Sequence, residues 1–431
     1  MTTLRRMLGS NVRQYGMVLA LAAIVLFFQF QTAGVLLRPL NVSNLLTQNS
    51  YILILAIGMV MVIISRHIDL SVGSVAAFVG AMAAIMMTRW DLPWFLAVVL
   101  CLGLGALIGA WHGFWVAYVG IPAFIVTLAS MLIFRGLTLT VLNGETVANL
   151  PSQFEGMGNG FLPEIGPDTG LHNLTMLIGV AMSVFVVWVE FRRRASATRY
   201  QFEVAPLPLF IARVTLEVMV IMYFVYVLAQ YRGLPVVAVI LFALVGLYTF
   251  LMSRTILGRQ IYAVGGNVDA ATMSGVRTKR IDFLVLTNMG MLAALAGMVF
   301  AARLTAANPK AGVNFELDAI AAAFIGGAAV TGGVGTVVGA IIGGFVMGVL
   351  NNGMSLLGVG IDWQQTIKGL VLLAAVAFDV YNKRRASVGG GAGAEKDEAV
   401  APPPAELDEL LAELPDPVVA TSGVVDDAPT G

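Results

Sequence analysis

Ser253 to Asp282 reads SRTILGRQIYAVGGNVDAATMSGVRTKRID, a polar stretch set between two apolar runs. It carries Arg254, Arg259, Arg277, Lys279 and Arg280, and such clusters between apolar runs mark the cytoplasmic side of a membrane protein. Its centre holds helix punctuation. Gly265 and Gly266 supply a turn, Asn267 can cap, Asp269 suits the positive end of a helix dipole, and Gly275 can stop the helix. The pattern predicts a two-turn helix from Val268 to Ser274, with Val268, Ala271 and Met273 as its small apolar contacts. So short a helix needs something to pack against. Two readings stand at this point: an ordinary connecting loop, and a docking helix for a soluble motor.

Outward from this stretch the chain is oily. It is 58% hydrophobic and 12% charged, outside the usual globular balance. Apolar runs of about twenty residues recur along nearly all of it, the pattern of a polytopic all-α membrane protein. The alternating ten-residue segments of a barrel are missing. The single cysteine, Cys101, excludes a disulfide within one chain, and His67, His112 and His172 have no metal-ligand spacing.

Arg5, Arg6 and Arg13 precede a first run, Tyr15 to Leu37, which reads as an anchor because no cleavage pattern follows it. Asn41 is placed to cap a second helix, Val42 to Ile64. After a polar break at 65–69 come spans at Leu70–Met87, Pro93–Tyr118 and Ile121–Leu142. A long loop, 143–172, contains Glu145, Glu155, Glu164 and Asp168 and neither Lys nor Arg. Spans at Asn173–Phe191 and Leu209–Ala229 flank Arg192, Arg193, Arg194 and Arg199. Leu234–Met252 enters the opening stretch and Phe283–Ala302 leaves it. Gly/Ala-rich segments at 316–335 and 336–357 follow, then Trp363–Tyr381, stopped by Lys383, Arg384 and Arg385.

These make about twelve hydrophobic segments with both termini cytoplasmic. Sixteen Lys/Arg then fall on cytoplasmic positions outside the tail and five on external ones, as the positive-inside bias requires. The 316–357 pair is also compatible with a re-entrant, broken helix. AAFVGAMA at 76–83 echoes AAFIGGAA at 322–329, and the two run in opposite directions, as inverted repeats do. Residues 1–385 form the membrane domain. From 386 onward ten acids face one base, Lys396, among Gly and Pro runs, the composition of a disordered tail.

GRQIYAVGGNVDAATMSGV (258–276), ELDAIAAAFIGG (316–327), GGVGTVVGAIIGG (332–344) and VLNNGMSLLGV (349–359) resemble the permease subunits of monosaccharide ABC importers, the ribose, galactose and xylose group. Upstream, NVSNLL (41–46), IDLSVGS (68–74) and PAFIVTLASMLIFRG (122–136) extend the likeness, so it covers roughly Asn41 to Arg385. A ten-span core plus an inserted pair with a basic link resembles the xylose or multiple-monosaccharide type. The resemblance implies a homodimer in the inner (plasma) membrane, a periplasmic sugar-binding protein outside, and an ATPase with two nucleotide-binding halves docked on Gly265, Gly266, Asn267, Asp269, Ala271, Met273, Ser274 and Gly275. It implies no enzyme activity, no catalytic or metal residue, and no partner nucleic acid.

The residues agree that ATP is bound elsewhere. A phosphate loop ends in Gly-Lys-Ser/Thr, and none of the five lysines follows a glycine. The chain is therefore expected to hold no cofactor, the ATP belonging to its partner. Gly335, Gly339 and Gly343 are four apart and let helices approach closely. Charges within spans are costly. Glu217 and Arg213, four apart, read as a neutralising pair, Arg135 and Lys368 as snorkelling, and Asp379 and Lys383 as an anchor. Asp69, beside Ser71, and Asp318 each open an apolar segment, as helix caps or as parts of a gate. A neutral sugar needs hydrogen-bonding and aromatic groups, for which Asn351, Asn352, Trp363, Gln364 and Gln365 are candidates. A proton-coupled secondary transporter using Glu217 is the rival reading.

Overall fold

The computed structural model describes residues 2–167, 169–202, 204 and 206–394, and the side chains of 16–377 within those ranges. Asp168, the side chains of Asp379 and Lys383, and residues 395–431 lie outside the described residues. In chain order the helices are α1 (Thr2–Gln31), α2 (Pro39–Ile64), α3 (Val72–Thr88), α4 (Trp94–Phe114, prolonged by a wider turn at Trp115–Val119), α5 (Ala123–Leu142), α6 (Ser152–Asn159), α7 (Asn173–Arg199) and α8 (Leu207–Ala229). They continue as α9 (Val236–Arg254), α10 (Ile256–Gly266), α11 (Val268–Met273), α12 (Thr278–Leu304), α13 (Phe315–Ile325), α14 (Val337–Leu356) and α15 (Ile361–Ala394). Two-residue strands, β1 (Val147–Ala148) and β2 (Ala306–Ala307), pair antiparallel with Val147 opposite Ala307. Met1–Asp379 form one compact unit. The tail expected from 386 begins inside α15.

Among the described residues eight helices are long and apolar enough to cross a membrane: α2, α4 with its extension, α5, α7, α8, α9, α12 and α14. Gly16–Gln31 of α1 and all of α3 are apolar but shorter. The chain is a mostly helical, polytopic membrane protein, as its composition predicts.

A helix apolar all round belongs at the centre of a bundle, and α2 is there, buried along nearly its whole length. The cap expected of Asn41 is not made, because α2 begins two residues earlier with Pro39 in its first turn. Helix α12 runs antiparallel to α2: Tyr51 meets Phe300, while Gly58 faces Met289 and Leu292. On its other side α12 meets α4 along Gly105, Gly109 and Gly113. A Cβ at any of the three would collide with the backbone around Gly290, Leu286 or Phe283, so small residues set this close crossing.

The expected span 316–335 is corrected. Helix α13 has 11 residues, a rise of about 16 Å, when about twenty residues are needed to cross. Positive φ at Gly327, Gly332, Gly333 and Gly335 then bends the chain back into α14. Helices α13 and α14 pack where Gly339 meets Gly326 and Gly343 meets Ala322, the close approach expected from those glycines. Helix α3 is its counterpart. Its start, Gly73, abuts Gly312, Phe315 and Glu316 at the start of α13. From there α3 passes Gly297 and Ala301 toward the C-terminal end of α12. Helix α13 leads the other way, to a loop bonded to Ile64 at the end of α2, Gly333 N–H donating to the Ile64 carbonyl at 2.9 Å. The two short helices therefore diverge from touching N-termini, the opposed directions expected of segments 76–83 and 322–329.

The acidic loop 143–172 is folded onto the bundle. Phe154 is fully buried, Gly158 abuts the Arg303 backbone, and Asn159 donates to the Arg303 carbonyl at 2.7 Å.

Candidate functional site

Five of the residues singled out from the sequence, Asp318, Asn351, Asn352, Gln364 and Gln365, line one cavity of about 310 Å³, at the lower end of the range for small-molecule sites. Helix α2 adds Gln48, Asn49 and Tyr51, the end of α12 adds Phe300 and Arg303, and α15 adds Lys368. The Tyr51 ring stacks on Phe315, centroids 4.0 Å apart and planes 28° apart, with Phe300 edge-on at 5.3 Å. Lys368 Nζ lies 3.1 Å from Asp318 Oδ1, so the span's cation is neutralised inward and does not snorkel. The lining is thus amides and the hydroxyls of Tyr51 and Ser355 beside an aromatic step, a balanced ion pair and one guanidinium.

Asn352 is partly committed to the fold. It accepts from Asn41 Nδ2 at 2.8 Å and donates to Asn41 Oδ1 at 3.1 Å, tying α14 to α2. Gln364 donates to the Val359 carbonyl at 2.8 Å. Trp363 lies outside the lining and is 63% exposed. Asp69 and Ser71 also lie outside it, buried where α3 starts. Asp69 Oδ1 accepts from the Ser71 amide at 2.8 Å and from its hydroxyl at 2.6 Å, so one oxygen of this carboxylate caps the turn into α3. Arg213 and Glu217 form the expected pair at 2.8 Å. Tyr51, Phe300 and Arg303 were missed, although the run Thr47–Gln48–Asn49–Ser50 inside a span was the signal for polar company there.

At the other end of α12 lies the polar stretch. Asn267 accepts from the Ala270 amide at 3.0 Å, and Gly275 takes a positive φ of 81°, so the cap and the stop are as the sequence predicts. The turn expected at Gly265 and Gly266 is instead the end of α10, whose start is capped by Thr255. The outward contact expected from Ala271 is also corrected. It is buried against the chain itself, while Met273 is 90% exposed and Asp269 and Ser274 are exposed beside it. Gly265 sits against the Ile64 carbonyl and the Gly333 amide, with no room for a Cβ.

Residues 41–376 match the family described as branched-chain amino acid transport system / permease component. The chain belongs to that family. It is 42% identical over 375 residues to the xylose transport system permease protein XylH of Haemophilus influenzae, covering 87% of this chain and 98% of the relative. Its counterpart in Escherichia coli K12 is also 42% identical, over 87% and 93%. The ribose import permease protein RbsC of Escherichia coli K12 is 36% identical over 80% of this chain and 86% of its own. No solved structure matches. The resemblance to sugar-importer permeases is borne out, and the chain is a transport protein and not an enzyme.

Proposed function

We propose that this chain is the membrane-spanning subunit of an ATP-driven monosaccharide importer, with xylose the first choice of sugar and galactose, glucose and arabinose next. The observation that carries the reading is the 42% identity to xylose permeases over 87% of the chain. The cavity beside Tyr51 supports it, because amides and hydroxyls exchange hydrogen bonds with a neutral polyol and an aromatic face receives its C–H groups. Asp318, Asn351, Gln364 and Gln365 are the residues we assign to the path, with Asn352 holding α14 in place.

The arrangement proposed is a homodimer in the inner membrane with α10–α11 in the cytoplasm and loop 143–172 outside. The core crosses ten times, α7 and α8 add two crossings, and the turns of 305–314 together with α13 make one crossing between them. A two-halved ATPase docks on Asp269, Met273 and Ser274, and a sugar-binding protein docks on the folded external loop. ATP closure of the motor moves α10–α11, and so the α13–α14 turn. The pairing of Glu217 with Arg213 at 2.8 Å supports a neutralising role for Glu217 over the carrier role that a secondary transporter would give it.

Reconstitution with the ATPase and the binding protein tests this. ATP-dependent accumulation of labelled xylose is expected. Accumulation by the chain alone under a pH gradient overturns it.

A further inference from the structure

The inserted pair encloses a second cavity of about 360 Å³ against α1, α2, α9 and α14. Its walls are aliphatic and aromatic: Ile178 and Met182 from α7, Val220 and Phe224 from α8, Phe242 and Phe345 from the core. Thr175 is the polar exception, and its hydroxyl accepts from the Leu234 amide at 2.8 Å. Water finds no partners in such a space, and far smaller apolar cavities stay dry and take up hydrocarbon. Gly179, packed on Val225, closes α7 and α8 onto each other.

The same two helices carry the other half of a lipid site. Between Glu190 and Glu217 the sequence places five arginines against three glutamates. Arg192 lies over Trp188 at 4.9 Å and Arg194 over Phe210 at 4.7 Å, which holds guanidinium groups against the helix ends. Arg193 pairs with Glu190 at 3.1 Å yet keeps 69% of its side chain exposed, and Arg213 is shared between Glu190 and Glu217. From Arg213 to the α8 cavity residues Val220 to Leu228 the helical rise is roughly 10 to 23 Å, and one leaflet of hydrocarbon is about 15 Å deep, so a chain anchored at the arginines reaches the near half of the cavity.

We propose that this cavity holds an acyl chain of an anionic phospholipid whose phosphate sits among the arginines at the end of α7 and the start of α8. Charge selects the headgroup and the cavity takes the tail, so α7 and α8 are a lipid-binding module on the transport core. The leaflet is the cytoplasmic one if the orientation proposed above holds; the site itself does not depend on sugar transport.

The test places a photoreactive diazirine amino acid at Met182, and at lipid-facing Val184 as reference, in the full chain in membranes of mixed phosphatidylglycerol and phosphatidylethanolamine. Adducts are identified by mass spectrometry. Phospholipid adducts at 182 enriched in phosphatidylglycerol, against bulk composition at 184, are expected. Arg193→Gln, at an exposed site, should lower that enrichment about fivefold. Bulk composition at 182 overturns the proposal, as does an absence of lipid adducts. Adducts between two copies of the chain at 182 assign the cavity to an interface and also overturn it. Enrichment unchanged in Arg193→Gln removes the headgroup from the α7 arginines and overturns the charge half of the proposal.

Discussion

Tyr262 Oη donates to the Gly335 carbonyl at 2.7 Å, joining α10 to the turn between α13 and α14. Arg66 Nε donates to the Thr331 carbonyl at 3.1 Å in the same turn. The end of α2, the turn after α13 and the helix before α11 thus meet at one point, where Gly265 leaves no room for slack. A push on α11 reaches the short helix α13 within two contacts.

Tyr262→Phe keeps the ring and removes this bond. A net loss of about 1 kcal/mol leaves insertion and abundance unchanged. Sugar-stimulated ATP hydrolysis should fall about fivefold while basal hydrolysis stays. Equal stimulation in the variant and the wild type, at matched membrane levels, would remove Tyr262 from the relay.

The docking helix offers a paired comparison. Met273→Arg puts a charge on an exposed position and should release the ATPase from a chain that still folds. Ala271→Arg buries a charge where a methyl group sits and should lower the chain's own abundance. Co-purification of the ATPase, normalised to membrane levels, separates the two. Full ATPase retention by Met273→Arg would move the docking surface off α11.

Much of this was legible because its physics is local. Asn267 and Gly275 announce a helix whatever surrounds them, and an i, i+4 pair such as Arg213–Glu217 needs only helical spacing. Hydropathy located the long helices for the same reason. It misplaced 316–335, since a short helix followed by a glycine turn has the composition of a span. Ala271 and Lys368 were misread because their partners are distant in sequence: which face of α11 turns inward, and that Asp318 waits fifty residues away for Lys368, are tertiary facts. The cavity was half visible, its polar residues standing out from the spans while Tyr51 and Phe300 resembled ordinary apolar lining.

Labelling of single cysteines in a Cys101→Ser background checks the crossing by α13. Exposed positions Gln153 and Lys310 should react with an impermeant maleimide from outside, and Thr198, Thr272 and Val334 only from the cytoplasmic side. Gly158 is avoided because its packing on Arg303 has no space for a side chain. Reaction of Val334 from outside would make α13 re-entrant and return α14 to the opposite direction.

Asp318 and Lys368 test whether the cavity's ion pair supports the fold, the path, or both. Asp318 is 8% and Lys368 20% exposed at the side chain, so removing one partner strands a charge in a poorly solvated place. Lys368→Met should therefore cost about 3 kcal/mol of stability, read as earlier thermal aggregation in detergent and lower abundance. The double variant Asp318→Asn/Lys368→Met strands nothing and should recover most of that loss, because replacing both members of a buried pair is often neutral. Uptake should not recover with it. A hydroxylated substrate that bonds to charged groups gains about 1.5–3 kcal/mol from each, so the stable double variant should transport at least about tenfold more slowly at low sugar. Sugar-stimulated hydrolysis should persist, since the α10–α13 contacts are intact. A stable double variant with wild-type uptake would confine the pair to joining α13 and α15, and the path would then have to avoid Asp318.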